Sequence, residues 1–132
     1  MEKIANFLKD SGVYFLATCE GDQPRLRPFG SVALVDGKLY FTTNNQKKVF
    51  DQMIENPKVE ISAMGKDYGW IRISGEVKHD DSLLARQKVI DAQPSLTSIF
   101  SADDGKMAVF YFVNGQATII GGTGGDEVIP LT

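Results

Sequence analysis

Lys47 and Lys48 stand between a strand-like run that ends in Thr42, Thr43, Asn44 and Asn45 and a helical run whose apolar stripe is Val49, Phe50, Met53 and Ile54. With Asn44 or Asn45 as the N-cap of a helix over 46–55, Gln46, Lys47 and Lys48 fill its first turn, where free backbone N–H groups carry a partial positive charge. Two lysines have the wrong sign for that end of the dipole, by about 0.3–1 kcal/mol each. A phosphate would reverse the balance by accepting from both ammonium groups, from the N–H groups and from Thr43 or Asn44. The alternative is two solvated lysines on an exposed helix start. No P-loop glycine pattern accompanies them, so a nucleoside-triphosphate site of that type has no support.

Two further stretches carry chemistry. In residues 24–34, PRLRPFGSVAL, alternation places Arg25, Arg27, Phe29 and Ser31 on one face of a strand and Leu26, Val32 and Leu34 on the other. Pro28 removes a ladder donor and Gly30 removes a side chain, which suits either a ligand approaching the main chain or an edge strand guarded against aggregation. In residues 67–77, DYGWIRISGEV, Trp70 and Arg72 share a face opposite Ile71 and Ile73. An indole beside a guanidinium suits contact with a planar ring, and equally a core tryptophan covered by a snorkelling arginine. The lone histidine, His79, at a strand end beside Asp80 and Asp81, is expected to be a loop or cap residue. No acid–base dyad is visible and no metal site is expected.

These side chains need a scaffold. Ile4, Phe7 and Leu8 define a short N-terminal helix ended by Ser11 and Gly12. Strands are predicted over 13–19, 25–35, 38–43, 58–64, 69–78, 107–113 and 116–120, and helices over 46–55 and 81–92, with an extra turn at 95–100. Asp36–Gly37 and Asn114–Gly115 have the composition of two-residue antiparallel hairpin turns. Short strands without strand–helix alternation favour a barrel, whose closure removes exposed edges. The tail, GGTGGDEVIPLT, is expected to be free or to lie against a partner subunit.

The totals bound the answer. A chain of 132 residues fits one domain, 1–132, that buries roughly two-thirds of its unfolded surface. Fourteen basic against seventeen acidic residues, a net charge of −3, argue against broad capture of nucleic acid or an anionic membrane, so any anion site is local. The N-terminus lacks a secretory h-region, and Cys19, the single cysteine, is expected as a small buried hydrophobe in a reducing cytoplasm.

Together, ATCEGDQPRLRPFG, LYFTTNNQKKVFDQMIENPKVEI and WIRISGEV resemble the pyridoxamine-phosphate-oxidase-like FMN-binding split-barrel family, in its small pyridoxamine-oxidase-related or nitroimidazole-reductase-like branch. The resemblance spans nearly the whole chain, and FTTNNQKK followed by QMIENPKV is its most specific part. It implies a mainly β split barrel, antiparallel and Greek-key-like, of about six to seven strands with flanking helices, paired as a homodimer with flavin at the subunit interface. By position, Arg27, Pro28, Phe29 and Gly30 would run beside the isoalloxazine, Thr42, Thr43 and Asn44 near the ribityl chain and phosphate, and Lys47 and Lys48 on the phosphate. Trp70 matches a variable position that contacts the flavin in relatives, and Arg27 or Arg72 could tune its potential. The implied function is an FMN oxidoreductase acting on a small-molecule redox substrate. Its alternatives are a non-enzymatic flavin carrier or a barrel binding deazaflavin or haem. True pyridoxamine-phosphate oxidases continue into a C-terminal Arg–His pair that holds the substrate, where this chain reads ATIIGGTGGDEVIPLT, so vitamin B6 oxidation is not expected.

Overall fold

The computed structural model describes residues 1–66, 68–121 and 125–131. The helix α1 (Glu2–Ser11) buries Ile4, Ala5 and Leu8 and stops at Gly12, whose positive φ of 79° lets its N–H reach the carbonyls of Leu8 and Lys9. The chain then enters β1 (Tyr14–Glu20), β2 (Gln23–Phe29), β3 (Ala33–Val35), β4 (Lys38–Asn44), α2 (Lys48–Glu55), β5 (Lys58–Met64) and β6 (Trp70–His79). Next come α3 (Leu83–Ala92), a 3-10 turn (Pro94–Ser98), β7 (Met107–Phe112), β8 (Gln116–Ile120) and β9 (Glu127–Pro130). All strand pairs are antiparallel, in the order β2-β1-β5-β6-β7-β4-β3, with β8 and β9 branching from β6. The architecture is a mainly β split barrel with flanking helices, as the resemblance implied. Among the described residues it has nine strands rather than six or seven.

The strand β6 makes the split. One edge pairs along its length with β5, while the other pairs with β8 over Trp70 to Ser74 and with β7 over Val77 to His79. Asn114 and Gly115 therefore do not turn a hairpin, because β7 and β8 are not neighbours. They carry the chain along that edge of β6 past Gly75, where a Cβ would collide with the Asn114 carbonyl oxygen, and the Asn114 Oδ1 accepts from the Glu76 N–H at 2.9 Å. The turn at Asp36 and Gly37, with φ of 51° and 75°, does join β3 to β4 as expected.

Two cores share the β4–β7 wall. Leu16, Phe41, Ile61, Ile71, Ile73 and Phe110 fill the barrel, closed by α1 and by Val49 and Met53 of α2. On the other face, Tyr40, Met107 and Val109 pack against Ala85, Val89 and Ile90 of α3 and Leu96 of the 3-10 turn. Covered on both sides, β4 and β7 read as nearly continuous buried runs.

Three expectations need correction. The predicted strand 25–35 breaks at Gly30, because Pro28 lacks a ladder donor and side chains then satisfy the backbone. Tyr14 Oη donates to the Ser31 carbonyl at 2.6 Å, Gln93 Oε1 accepts from the Val32 N–H at 3.0 Å, and Ser31 Oγ bridges the N–H and carbonyl of Thr42. The tail is not free, since β9 pairs with β8 of its own chain and Glu127 meets Lys3. Residues 122–124 and 132 of that tail lie outside the described residues. Cys19 is only half-buried, on the outer face of β1 opposite Pro24. Among the described residues no helix is long and apolar enough to cross a membrane.

Candidate functional site

The seam between the broken β2–β3 strand, the end of β4 and the α3 layer opens into a cleft of about 480 Å³. That is within the range of small-molecule sites. Pro28, Phe29 and Gly30 form one side, Thr42, Thr43, Asn44 and Lys47 continue it, and Gln93, Ser95, Leu96, Ile99 and Phe100 face them. Phe29 serves two neighbourhoods. It lines the cleft while its ring meets Tyr14 at 6.0 Å and Phe41 at 5.8 Å between centroids, so it is held in place by the barrel core.

Thr42 is 6% exposed, and its Oγ1 is buried without a hydrogen-bond partner among the described residues. Buried polar groups are nearly always paired, so this hydroxyl beside the cleft is a candidate to bond a water or a bound group.

The helix start differs in detail from expectation. The helix α2 begins at Lys48, with Lys47 in extended conformation at the N-cap and no side chain capping it. Asn44 does not cap α2. Its Oδ1 accepts from the Gln46 N–H at 2.8 Å, an Asx turn that ends β4, while Asn45 ties this turn to Gly105 and Lys106. Lys47 thus leaves the first turn and Lys48 stays in it. Both face a second recess beside the cleft, lined also by Arg25, Arg27, Pro28, Gln52 and Glu20.

In that recess Arg27 is fixed by neutral groups. Its Nη1 donates to the Leu16 carbonyl at 3.1 Å and to Thr18 Oγ1 at 2.8 Å, and its Nη2 donates to Gln52 Oε1 at 2.7 Å. Thr18 Oγ1 in turn donates to Gln52 Oε1 at 2.5 Å. Removal from water, and secondarily the Arg25 charge, draws the Arg27 pKa below its ordinary value. Arg25 is paired with Glu20 at 2.9 Å, whereas among the described residues no carboxylate pairs with Arg27, Lys47 or Lys48. The Glu20 pKa is lowered, first by the hydrogen bond from Arg25 and then by its charge. Arg25, Arg27, Lys47 and Lys48 outnumber the one carboxylate of the recess, Glu20, which is a local excess of positive charge on a chain of net negative charge.

The structure therefore brings Pro28, Phe29, Gly30, Thr42, Thr43, Asn44 and Lys47 to one cleft, with Arg27 and Lys48 in the adjoining recess. It does not bring Trp70 there. Trp70 lies on the outer face of β6 between Met64 and Ile120, with the Arg72 guanidinium 4.9 Å from its ring centroid and Glu60 3.9 Å beyond. Ser31 has left the strand face assigned to it and joins the cleft wall. His79 is neither a cap nor a base in the cleft, but is packed between Phe50 and Phe110. Thr18, Gln52 and Gln93 were not foreseen. Thr18 and Gln52 had a signal, since each is a polar residue at an inward position of an apolar pattern. Gln93 had none.

The sequence profile of the family described as "Pyridoxamine 5'-phosphate oxidase" matches residues 1–93. Among solved structures, a NimC/NimA family protein from Clostridium acetobutylicum is 51% identical, with 98% of this chain and 91% of that one covered and a TM-score of 0.94. A haem-binding protein from Mycobacterium smegmatis shares the fold at 15% identity and a TM-score of 0.76, over 98% of this chain and 57% of that one. A pyridoxamine 5'-phosphate oxidase-related, FMN-binding protein from Nostoc punctiforme does so at 15% identity and a TM-score of 0.63, over 96% and 86%. No curated protein sequence matches the chain.

Proposed function

The chain belongs to the pyridoxamine 5'-phosphate oxidase family, and on that premise we propose that it is an FMN-dependent oxidoreductase acting as a homodimer on a small-molecule redox substrate. The observation that carries this proposal is the buried Thr42 hydroxyl, without a partner among the described residues, in a residue that lines a cleft adjoined by an excess of cations. A buried hydroxyl without a partner costs about 1–3 kcal/mol. A ribityl hydroxyl or phosphate oxygen would remove that cost.

In this assignment Thr42, Thr43 and Asn44 hold the ribityl chain, Lys47 and Lys48 hold the phosphate with the uncapped start of α2, and Pro28, Phe29 and Gly30 flank the ring. Arg27, clamped by Thr18 and Gln52, keeps a fixed positive charge between the phosphate and ring residues. FMN supplies the electron-transfer chemistry when bound. The chain contributes position, charge and exclusion of water. No side chain in the cleft is placed as an acid–base pair, which suits a reaction whose bond changes occur on cofactor and substrate.

The homodimer would be formed through the outer sheet face, where Phe15, Leu26 and Met64 are exposed beside Trp70. Covering that face would let Trp70 reach a flavin held by the partner. Haem has no support from His79, which lies between two phenylalanine rings and does not line the cleft. A deazaflavin would use the same phosphate contacts.

The test is a titration of the purified protein with FMN and with riboflavin, preceded by an absorption spectrum and the mass of any released cofactor. Much tighter binding of FMN supports the proposal. Equal affinity would remove the phosphate site, and steady turnover with a nicotinamide donor separates an oxidoreductase from a carrier.

A further inference from the structure

The two walls of the cleft differ in charge. The wall formed by the end of β4 leads to Lys47 and adjoins Arg27 and Lys48, whereas the facing wall is drawn from residues 92–102, AQPSLTSIFSA, which contain no charged side chain. In a chain with 23% charged residues, such a stretch with Ile99 73% exposed is not ordinary surface.

The facing wall is also fixed. The N–H of Leu96 bonds the Gln93 carbonyl at 3.1 Å, those of Ile99 and Phe100 bond the Leu96 carbonyl at 3.0 and 2.8 Å, and Leu96 itself is buried under α3. Gln93 supplies an amide oriented by the backbone facing it. The Val32 N–H can only donate, so the Gln93 oxygen must face it, at 3.0 Å. The amide nitrogen is thereby turned away from Val32, and among the described residues nothing accepts from it.

We propose that the wall of Gln93, Leu96, Ile99 and Phe100 is the second-substrate subsite, and that it selects an uncharged compound with an apolar ring face and one hydrogen-bond acceptor, such as a carbonyl oxygen, for the Gln93 amide nitrogen. This rests on the assignment of the opposite wall to FMN. Phosphorylated or carboxylate substrates are disfavoured in the presence of FMN, because the phosphate of the cofactor neutralises the cations that would attract them and the facing wall offers none.

The experiment uses three probes of one shape and different charge: benzamide, benzoate and benzylamine. Each is titrated into the FMN-saturated protein and followed by calorimetry and by perturbation of the flavin absorbance. The same series is run on Gln93→Glu, which keeps an oxygen for the Val32 N–H but replaces the free donor by a carboxylate, and on Ile99→Asp, an exposed position whose change leaves the fold intact. Benzamide should bind best to the unmodified protein. In Gln93→Glu its affinity should fall about tenfold, the effect of one lost hydrogen bond, while benzylamine becomes the preferred probe, both read at saturating FMN. Ile99→Asp should weaken benzamide as well. Preference of the unmodified protein for benzoate, or an unchanged probe order in Gln93→Glu, overturns the subsite. Failure to bind FMN is read separately in the cofactor titration and overturns the assignment of the first wall, and with it this one.

Discussion

Arg27 of β2 and Gln52 of α2 are joined by a 2.7 Å hydrogen bond from Nη2 to Oε1, and Thr18 of β1 donates to the same oxygen. One amide thus holds a half-buried guanidinium that no carboxylate among the described residues neutralises. Gln52→Leu removes the acceptor and leaves Arg27 and Thr18 with unpaired donors, so urea denaturation should show a loss of about 1–3 kcal/mol. Gln52→Glu should retain stability by pairing with Arg27, yet weaken FMN binding by cancelling a charge of the anion site. If Gln52→Glu binds FMN as tightly as the parent, the charge of Arg27 has no part in cofactor binding.

Lys48 is expected to act with opposite signs in the free and bound protein. As the first residue of α2 it opposes the macrodipole, so Lys48→Ala should stabilise the cofactor-free protein by about 0.3–1 kcal/mol. Combined with Lys47→Ala it should weaken FMN binding, by no more than the roughly 1.5–3 kcal/mol that a charge-assisted hydrogen bond contributes at each lysine. Thermal melts with and without FMN give both numbers. An unchanged FMN dissociation constant in the double variant would return both lysines to solvent.

Much of this site was legible in the sequence because its parts are local. Pro28 to Gly30 and Thr42 to Lys48 are two short stretches, and Pro28, Phe29, Gly30, Thr42, Thr43, Asn44 and Lys47 line one cleft with Lys48 in the recess beside it. What was not legible is long-range. Gln93 reaches Val32 across 61 residues, and it stands between α3 and the 3-10 turn, outside the pattern of either. Asn114–Gly115 had hairpin composition, yet β7 and β8 flank the two halves of β6, and partner choice is not written in a turn. Trp70 shares the face of Arg72 as alternation required, but alternation does not say which face of the sheet the cleft opens on.

Gly75, past which Asn114 and Gly115 run along the edge of β6, should be among the least tolerant backbone positions of the barrel. A Cβ there meets the Asn114 carbonyl oxygen and, with less overlap, the Phe112 ring. Neither can move without disturbing the β7–β6 pairing. Gly75→Ala should therefore lose about 1–3 kcal/mol or more, as overpacking does, measured by chemical denaturation. Gly37→Ala is a useful contrast, since nothing lies within reach of its Cβ and only its positive φ of 75° opposes the change. Equal losses at the two sites would mean that the backbone beside Gly75 has room.

Asp104 makes the loop before β7 sensitive to acid. Burial works to raise its pKa, but the N–H groups of Met107, Lys106 and Ser101, at 2.8, 2.7 and 3.1 Å, outweigh burial and hold it below its ordinary value. With the folded value below the unfolded one, ionised Asp104 stabilises the native state above the unfolded value near about 3.9. That contribution is lost as pH falls through the folded value. Asp104→Asn keeps an oxygen acceptor and removes the titration. It should start less stable near neutral pH and decline less steeply in acid, and parallel declines in the two proteins would assign the acid sensitivity elsewhere.

Assembly follows from what the outer sheet face exposes. Along β1, β5 and β6, Phe15 lies opposite Ser62 and that in turn opposite Arg72, while Met64 lies opposite Trp70. Phe15 and Met64 are exposed, as is Leu26 on β2. Exposed apolar and aromatic side chains grouped on one face of a small domain, here interrupted by Ser62, Arg72 and Glu60, are more often covered than left in water. A two-fold axis through it would repeat each contact twice and let Trp70 complete the cleft of the partner. The protein should then sediment as a dimer at low micromolar concentration, and FMN should raise its melting temperature and shift any monomer–dimer equilibrium toward dimer by mass action. Phe15→Glu, far from the lysines and Thr42, should yield a folded monomer with weakened FMN binding. A parent protein that stays monomeric at every accessible concentration while holding FMN stoichiometrically would sink the interface and leave Trp70 as a surface residue stacked on Arg72.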